Sequence, residues 1–185
     1  MLKELYHDTQ ERMNKAIEAL IRELTGVRTG KASAKMLDGI KVEYYGTPTL
    51  LNQLASISSP DPKMLVIQPW EKTIIPDVVK ALHKADLGLN PIAEATIIRL
   101  PIPPLNEERR REMAKLVKKL GEEAKISIRN IRRDANEKLK KAEKDSTLSE
   151  DESQKGQKQI QDYTDTYIEK IGELIKAKEQ EVMEV

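Results

Sequence analysis

The sequence predicts an α+β protein in which an elongated bundle of three long helices carries a small mixed α/β domain, inserted between the first and second helices. All nine prolines lie between residues 48 and 104 of the 185-residue chain. Proline breaks helices, so both flanks can form long helices while the middle favours strands and turns. In each flank, apolar residues recur at alternating steps of three and four, the period of an amphipathic helix. We therefore expect a bundle of residues 1–29 and 106–185, and an inserted domain of residues 30–105.

The composition indicates a thin, aliphatic core. Charged residues make up 34% of the chain and apolar residues 38%, with one Trp, five Tyr and no Phe, as in bundles of long helices. The absence of cysteine excludes disulfides, iron–sulfur clusters and thiolate zinc sites, and fits a reducing compartment. The sequence has no readable signal peptide and no apolar run of about 20 residues that would span a membrane. We expect a soluble cytoplasmic protein.

The first flank predicts one helix of about seven turns, because its apolar positions follow the helical period. The segment "RTGKAS", residues 28–33, ends this helix. The apolar positions are Tyr6, Thr9, Met13, Ala16, Leu20, Leu24 and Val27.

The inserted domain is predicted to contain strands and one short helix. "GIKVEYYG" alternates apolar and polar residues, which indicates a strand with one buried face, and "LLNQLASIS", "MLVIQ" and "TIIRL" are further strand candidates. A short helix is predicted to start near Pro76 and to stop at Gly88. We expect Trp70 to pack near the end of a strand.

The last flank predicts two helices. The second helix of the bundle runs from Asn106 to Lys144, with Asn106 as its cap and Glu107 and Glu108 at its positive end. "SEDE", residues 149–152, has the pattern of a capping box and predicts the start of the third helix. The apolar stripe of that helix is interrupted by a lysine and comprises Ile160, Tyr163, Tyr167, Ile171, Leu174, Lys178 and Val182.

These two helices carry opposite charge although the whole chain has a formal net charge of +1. Residues 106–144 hold 14 Lys and Arg against 8 Asp and Glu, a net charge of +6, whereas residues 149–185 hold 5 against 10, a net charge of −5. The positive charge of the second helix is also arranged on one side. At about 100° per residue, a strip roughly 60° wide contains Arg111, Lys118, Lys125, Arg129 and Lys140, with Arg133 at its margin.

We call these six residues the cationic strip. Ile128, Ile131 and Ala135 point well away from it, so that the helix can pack with one face and present cations with another. Arg132 falls between the two faces, where its aliphatic stem could lie on the bundle while its guanidinium reaches outward.

The pattern alone leaves two interpretations of the cationic strip open. It could be a solvated face whose cations pair with the acidic third helix, or a surface that contacts the phosphates of a nucleic acid. A scaffold or coiled-coil protein with an acidic protein partner is the corresponding alternative function. An enzyme is disfavoured, because His7 and His83 are the only histidines and no phosphate loop, dinucleotide turn or metal-spaced cluster is present. We expect no cofactor, no metal and no catalytic residue, and a hydrolase using His83 and Asp86 is the remaining enzymatic alternative.

Six ordered motifs resemble those of the ribosome recycling factor family. They are "RTGKAS", "VEYYGTP", "LNQLASI", "DLGLNP", "PIPPLNEERRRE" and "IRNIRRDAN", and the similarity covers nearly the entire chain. The resemblance implies an L-shaped protein, similar to tRNA in outline, with a three-helix bundle and a β/α/β domain. It also implies a monomer that binds the large ribosomal subunit after termination and, with elongation factor G and GTP hydrolysis by that partner, splits the ribosome into subunits.

The resemblance further implies which residues act. Arg129 and Arg132 match the functionally important arginine region of the family, while Arg28, Lys31 and Arg110 match positions close to ribosomal RNA. Lys31 stands where many members carry arginine. The residues expected to bind ribosomal RNA are Arg28, Lys31, Arg110, Arg111, Lys118, Lys125, Arg129, Arg132 and Arg133. Two linkers, near residues 28–35 and 101–105, are expected to act as a double hinge that lets the smaller domain swing, with Arg28, Thr29, Gly30, Pro101, Pro103 and Pro104 as hinge residues.

Overall fold

The computed structural model describes residues 1–184, which form two compact units. The first unit comprises Met1–Val27 and Arg110–Glu184, and the second comprises Arg28–Arg109. The elements in chain order are α1 (Leu2–Thr25), β1 (Lys41–Tyr44), β2 (Thr47–Leu50), α2 (Leu51–Leu54), β3 (Ala55–Asp61), β4 (Met64–Pro69), α3 (Ile75–Lys84), β5 (Ile92–Ala93), β6 (Ile98–Pro101), α4 (Glu107–Lys144) and α5 (Glu150–Met183). Two 3₁₀ turns, Ala34–Leu37 and Lys72–Ile74, precede β1 and α3.

The first unit is a three-helix bundle of α1, α4 and α5, which confirms the fold class predicted from the sequence. Its three apolar stripes meet in an aliphatic core, since no helix of this kind can bury its stripe alone. Fully buried side chains at the centre come from all three helices and are Met13, Leu20, Val117, Ile128, Ile160 and Ile171.

Two glycines allow α4 and α5 to approach closely. A Cβ atom built on Gly121 of α4 would lie 2.6 Å from Cγ1 of Ile175, and one on Gly156 of α5 would lie 2.9 Å from Cδ2 of Leu139. Both distances are too short for a carbon–carbon contact. Each helix therefore uses a glycine to accept a branched side chain of the other, which offsets the about 1 kcal/mol of helix propensity that each glycine costs.

A capping box begins α5, as the sequence predicts. The Ser149 hydroxyl accepts a hydrogen bond from the Glu152 N–H (3.2 Å), and the Glu152 carboxylate accepts from the Ser149 N–H (2.9 Å). These bonds satisfy two donors at the helix start that would otherwise lack partners. The hydrogen bond from the Ser149 backbone is the main cause of a lowered pKa of the Glu152 carboxyl.

We expect Ser149→Ala to lower the free energy of unfolding by about 1 kcal/mol, the usual effect of losing an N-cap oxygen. Chemical denaturation monitored by circular dichroism measures this, and Ser127→Ala, an exposed position inside α4, is the matched control that should not destabilise. Because the pKa of Glu152 is lower in the folded state, its stabilising contribution is present above the ordinary value of 4.5 and is lost as the pH falls below it. An unchanged midpoint for Ser149→Ala at pH 7 would contradict the assigned role of the cap.

The second unit combines two antiparallel sheets with one short helix. Strands β1 and β2 form a hairpin, and the other strands form a four-stranded sheet in the order β3-β4-β6-β5. Alternate residues of β4 and β6 are buried, as expected for a sheet with one covered face. Helix α3 contributes Ile75, Val78 and Leu82 to the same core.

Three local predictions for this unit were wrong. "LLNQLASIS" was expected to be one strand, but Leu51–Leu54 forms a helical turn before β3 because Leu51 and Leu54 are both buried at the i, i+3 spacing of a helix. Helix α3 ends at Lys84, before Gly88, since Asp86 already has a positive φ of 49°. Trp70 was expected to pack, but its side chain is 69% exposed.

Candidate nucleic-acid interface

Helix α4 separates a buried face from the cationic strip. Its buried residues include Val117, Ile128, Ala135 and Leu139, and Ile128 and Ala135 are among those that the sequence analysis places away from the strip. On the strip, Lys125 and Arg129 are half-buried, and the exposed members are Arg111, Lys118, Arg133 and Lys140. The aliphatic stems of the half-buried pair can cover apolar surface while their charged groups stay in water.

Two ion pairs join α4 to α1 away from the strip. Asp134 accepts from Arg12 of α1 at 2.7 Å, and Lys138 lies 3.3 Å from the carboxylate of Asp8. Neither Asp134 nor Lys138 belongs to the cationic strip. Asp8 of α1, a helix that the charge count did not single out, thus pairs with one cation of α4.

Most cations of the strip are not neutralised by a partner within the described residues. In residues 1–184, Lys118, Arg129, Arg133 and Lys140 make no ion pair and no side-chain hydrogen bond, while Lys125 lies 3.4 Å from Glu122 of its own helix. The interpretation in which the acidic third helix neutralises the strip therefore does not hold for these five cations. Exposed cations without an internal partner are available to an external polyanion.

Arg132 lies at the edge of the strip next to α5. Its Nη1 donates a hydrogen bond to Oε1 of Gln161 (3.1 Å), and Nε2 of Gln161 donates to Oδ1 of Asp165 (2.7 Å). Sequence reasoning missed Gln161 and Asp165, because the pairing depends on how α4 and α5 are aligned, and no periodicity or motif in the sequence contains that information.

Two short segments connect the units. On the first, Val27 is buried in the core of the bundle, and the Ala32 N–H donates to the Pro62 carbonyl (2.6 Å). On the second, Ile102 is buried and its N–H donates to the Lys63 carbonyl (2.7 Å). Two segments lie between the anchored positions. Arg28–Lys31 joins Val27 to Ala32, and residues 103–105 join Ile102 to Asn106 at the start of α4.

The predicted hinge residues differ in their surroundings. Pro101 is the last residue of β6 and pairs with Met64, whereas Pro103 and Pro104 lie beyond the sheet. Gly30 has a φ of +74°, a conformation that favours glycine, and a Cβ there would lie 3.4 Å from the Leu105 backbone nitrogen. The two connecting segments therefore run side by side at Gly30 and Leu105.

The remaining predicted RNA-binding residues lie in or close to these segments: Arg28 and Lys31 belong to the first, and Arg110 follows the second along the chain. Arg28 and Lys31 are exposed, and the Lys31 N–H is 3.4 Å from the Thr29 hydroxyl oxygen. Arg110 is half-buried in the first turn of α4.

The enzymatic alternative finds no geometric support in residues 1–184. His83 is exposed on α3, and its contact with Asp86 joins the backbone N–H of Asp86 to the backbone carbonyl of His83 (3.2 Å). The contact between the two residues that the structure shows is thus a backbone turn at the end of α3, and not an imidazole–carboxylate pair. Within the same residues, no helix is long and apolar enough to cross a membrane.

Three comparisons with known proteins agree. The family model described as "Ribosome recycling factor" matches residues 20–183. The ribosome-recycling factors of Brevibacillus brevis and Halalkalibacterium halodurans are 52% and 55% identical to the chain over 185 residues, with the full length of each protein covered.

Two solved structures are also similar. A solution structure of the ribosome recycling factor has a TM-score of 0.81 at 40% identity, covering 100% of this chain and 98% of that one. A chain from models of the T. thermophilus ribosome recycling factor and the E. coli elongation factor G bound to the E. coli post-termination complex has a TM-score of 0.68 at 44% identity, covering both chains fully.

Proposed function

The chain belongs to the ribosome recycling factor family, and we propose that it binds the large ribosomal subunit after translation termination and, together with elongation factor G, dissociates the ribosome into subunits. Family membership over the full length supports this function. The structural observation that carries it is the cationic strip of α4, four of whose members make no ion pair within the described residues.

We propose that the bundle is the anchor on ribosomal RNA. Phosphates line the surface of folded RNA, and a linear row of arginine and lysine matches such a surface without reading bases. The proposed contacts are Arg28, Lys31, Arg110, Arg111, Lys118, Lys125, Arg129, Arg132 and Arg133.

The chain is proposed to act without a catalytic residue, metal or cofactor of its own, as a cytoplasmic monomer. Energy for subunit splitting then comes from GTP hydrolysis by elongation factor G. The second unit is proposed to receive the push of that factor and to change its orientation about the connecting segments, with Arg28, Thr29, Gly30, Pro101, Pro103 and Pro104 as the hinge region. Rotation at two short segments leaves the cores of both units intact.

Co-sedimentation with isolated large ribosomal subunits tests the proposed function. We expect the chain to pellet with intact subunits and to remain in the supernatant after the subunits are treated with nuclease, because the anchor is RNA. Pelleting that survives complete RNA digestion would favour the alternative of an acidic protein partner.

Salt dependence is a separate prediction of the phosphate contacts. Each neutralised phosphate releases counterions, so that the logarithm of the binding constant should fall with the logarithm of salt concentration by a slope of order one per contact. Titration of the large subunit at several potassium chloride concentrations measures this slope. A binding constant that does not change with salt would contradict a phosphate anchor.

A further inference from the structure

Gln161 of α5 lies between a cation and an anion and contacts both. Its amide oxygen accepts from Nη1 of Arg132 at 3.1 Å, and its amide nitrogen donates to the carboxylate of Asp165 at 2.7 Å, one helical turn further along α5. The carboxylate can only accept, so it fixes the orientation of the amide with the nitrogen towards Asp165 and the oxygen towards Arg132. Asp165 therefore determines which end of the Gln161 amide faces Arg132.

The neutral amide orients Arg132 without neutralising it. A guanidinium has five N–H donors, and in the described residues only one of its nitrogens, Nη1, is engaged by a side chain. The other donors of the planar fork are free to bind a phosphate in a bidentate manner. Because Gln161 is uncharged, Arg132 retains its full charge for an external anion, while the carboxylate of Asp165 contacts Gln161.

On the basis of the proposed function, we infer that Gln161 and Asp165 are positioning residues for ribosomal RNA binding: they hold the guanidinium of Arg132 in the orientation in which it meets a phosphate. An arginine side chain that is free in solution populates many rotamers, and ordering it on binding costs free energy. The hydrogen bond that Arg132 donates to Gln161 of α5 removes part of that cost before the RNA arrives. The acidic third helix thus contributes to RNA binding through a neutral residue that one of its carboxylates orients.

Two substitutions of Gln161 separate the effect of orienting Arg132 from the effect of neutralising its charge. Gln161→Ala removes the acceptor and frees Arg132, so that binding to the large subunit should weaken about two- to tenfold, the range for one orienting hydrogen bond. Gln161→Glu places a carboxylate next to Arg132. We expect it to weaken binding more than Gln161→Ala and to lower the salt slope by about one, because an internal ion pair then competes with the phosphate.

The experiment measures binding of the full-length variants to isolated large ribosomal subunits at several salt concentrations. Gln154→Ala is the matched control, since Gln154 is also exposed on α5 and its side chain donates to Glu150 of its own helix (3.2 Å). It should bind as the wild type does. Circular dichroism and thermal unfolding verify that each variant keeps its helices, which the exposure of Gln161 leads us to expect.

A double-mutant cycle with Arg132→Ala provides the decisive outcome. If Gln161 acts through Arg132, Gln161→Ala should have no further effect in the Arg132→Ala background. Wild-type binding by Gln161→Ala, or an equal loss in both backgrounds, overturns the inference while leaving the proposed function intact. Failure of the wild-type chain itself to bind the large subunit overturns both.

Discussion

Arg132→Ala is expected to weaken binding to the large ribosomal subunit by about 1 to 3 kcal/mol, the loss typical of one charge-assisted contact. Arg132 combines the features that such a contact requires. It lies at the edge of the cationic strip, it makes no ion pair within residues 1–184, and within the same residues its side-chain hydrogen bond goes to the neutral Gln161. Filter binding or co-sedimentation with isolated large subunits measures the change in the dissociation constant.

Two control variants separate this effect from a loss of folding or of charge in general. Arg12→Ala removes an arginine of the same bundle whose guanidinium is already paired with Asp134 at 2.7 Å, so its effect on RNA binding should be much smaller. Arg132→Lys keeps the charge but loses the planar fork, and should give an intermediate loss. Wild-type affinity for Arg132→Ala at unchanged helicity would show that Arg132 is not a contact.

Deleting Pro104 is expected to abolish subunit splitting while leaving binding to the large subunit unchanged. Only residues 103–105 separate Ile102, which is anchored to the small unit by its bond to Lys63 (2.7 Å), from Asn106, whose side chain caps α4 through the Arg109 N–H (2.8 Å). Removing one of three linker residues shortens the segment by about 3 Å and restricts reorientation. The cationic strip lies on the bundle and is not altered by the deletion.

A splitting assay with purified ribosomes, elongation factor G and GTP measures this prediction, with large-subunit binding measured in parallel. The matched control is the double variant Pro103→Ala, Pro104→Ala, which keeps the length of the segment and changes only its stiffness. It should retain both binding and splitting. Full splitting activity of the shortened chain would mean that reorientation about this segment is not required.

The Arg132→Ala variant and the Pro104 deletion are expected to impair different steps, so that measuring both tests the proposed roles of the two units. Arg132→Ala should impair binding, and splitting only as a consequence of it. The Pro104 deletion should impair splitting with binding intact. Loss of binding by both variants would contradict the proposed division between an anchoring bundle and a moving second unit.

The sequence by itself determined the long helices and the charge they carry, because these are local properties. The spacing of apolar residues predicted α1, α4 and α5, and the side-chain chemistry of Asn106, Ser149 and Glu152 predicted where two of them begin. The cationic strip follows from the same arithmetic, since a residue's position on a regular helix depends only on its number. Family membership, visible in six ordered motifs, was likewise available from the sequence.

Only the tertiary structure decided which charges are neutralised and which residues support others. Two ion pairs join α4 to α1, one between Lys138 and Asp8 and one between Asp134 and Arg12, although the charge count had singled out the more acidic α5. The bond between Arg132 and Gln161, and the contact of Ile175 with Gly121, depend on the alignment of two helices. Such contacts join residues far apart in the chain, and their existence is set by packing of the whole core, so no local pattern in the sequence could specify them.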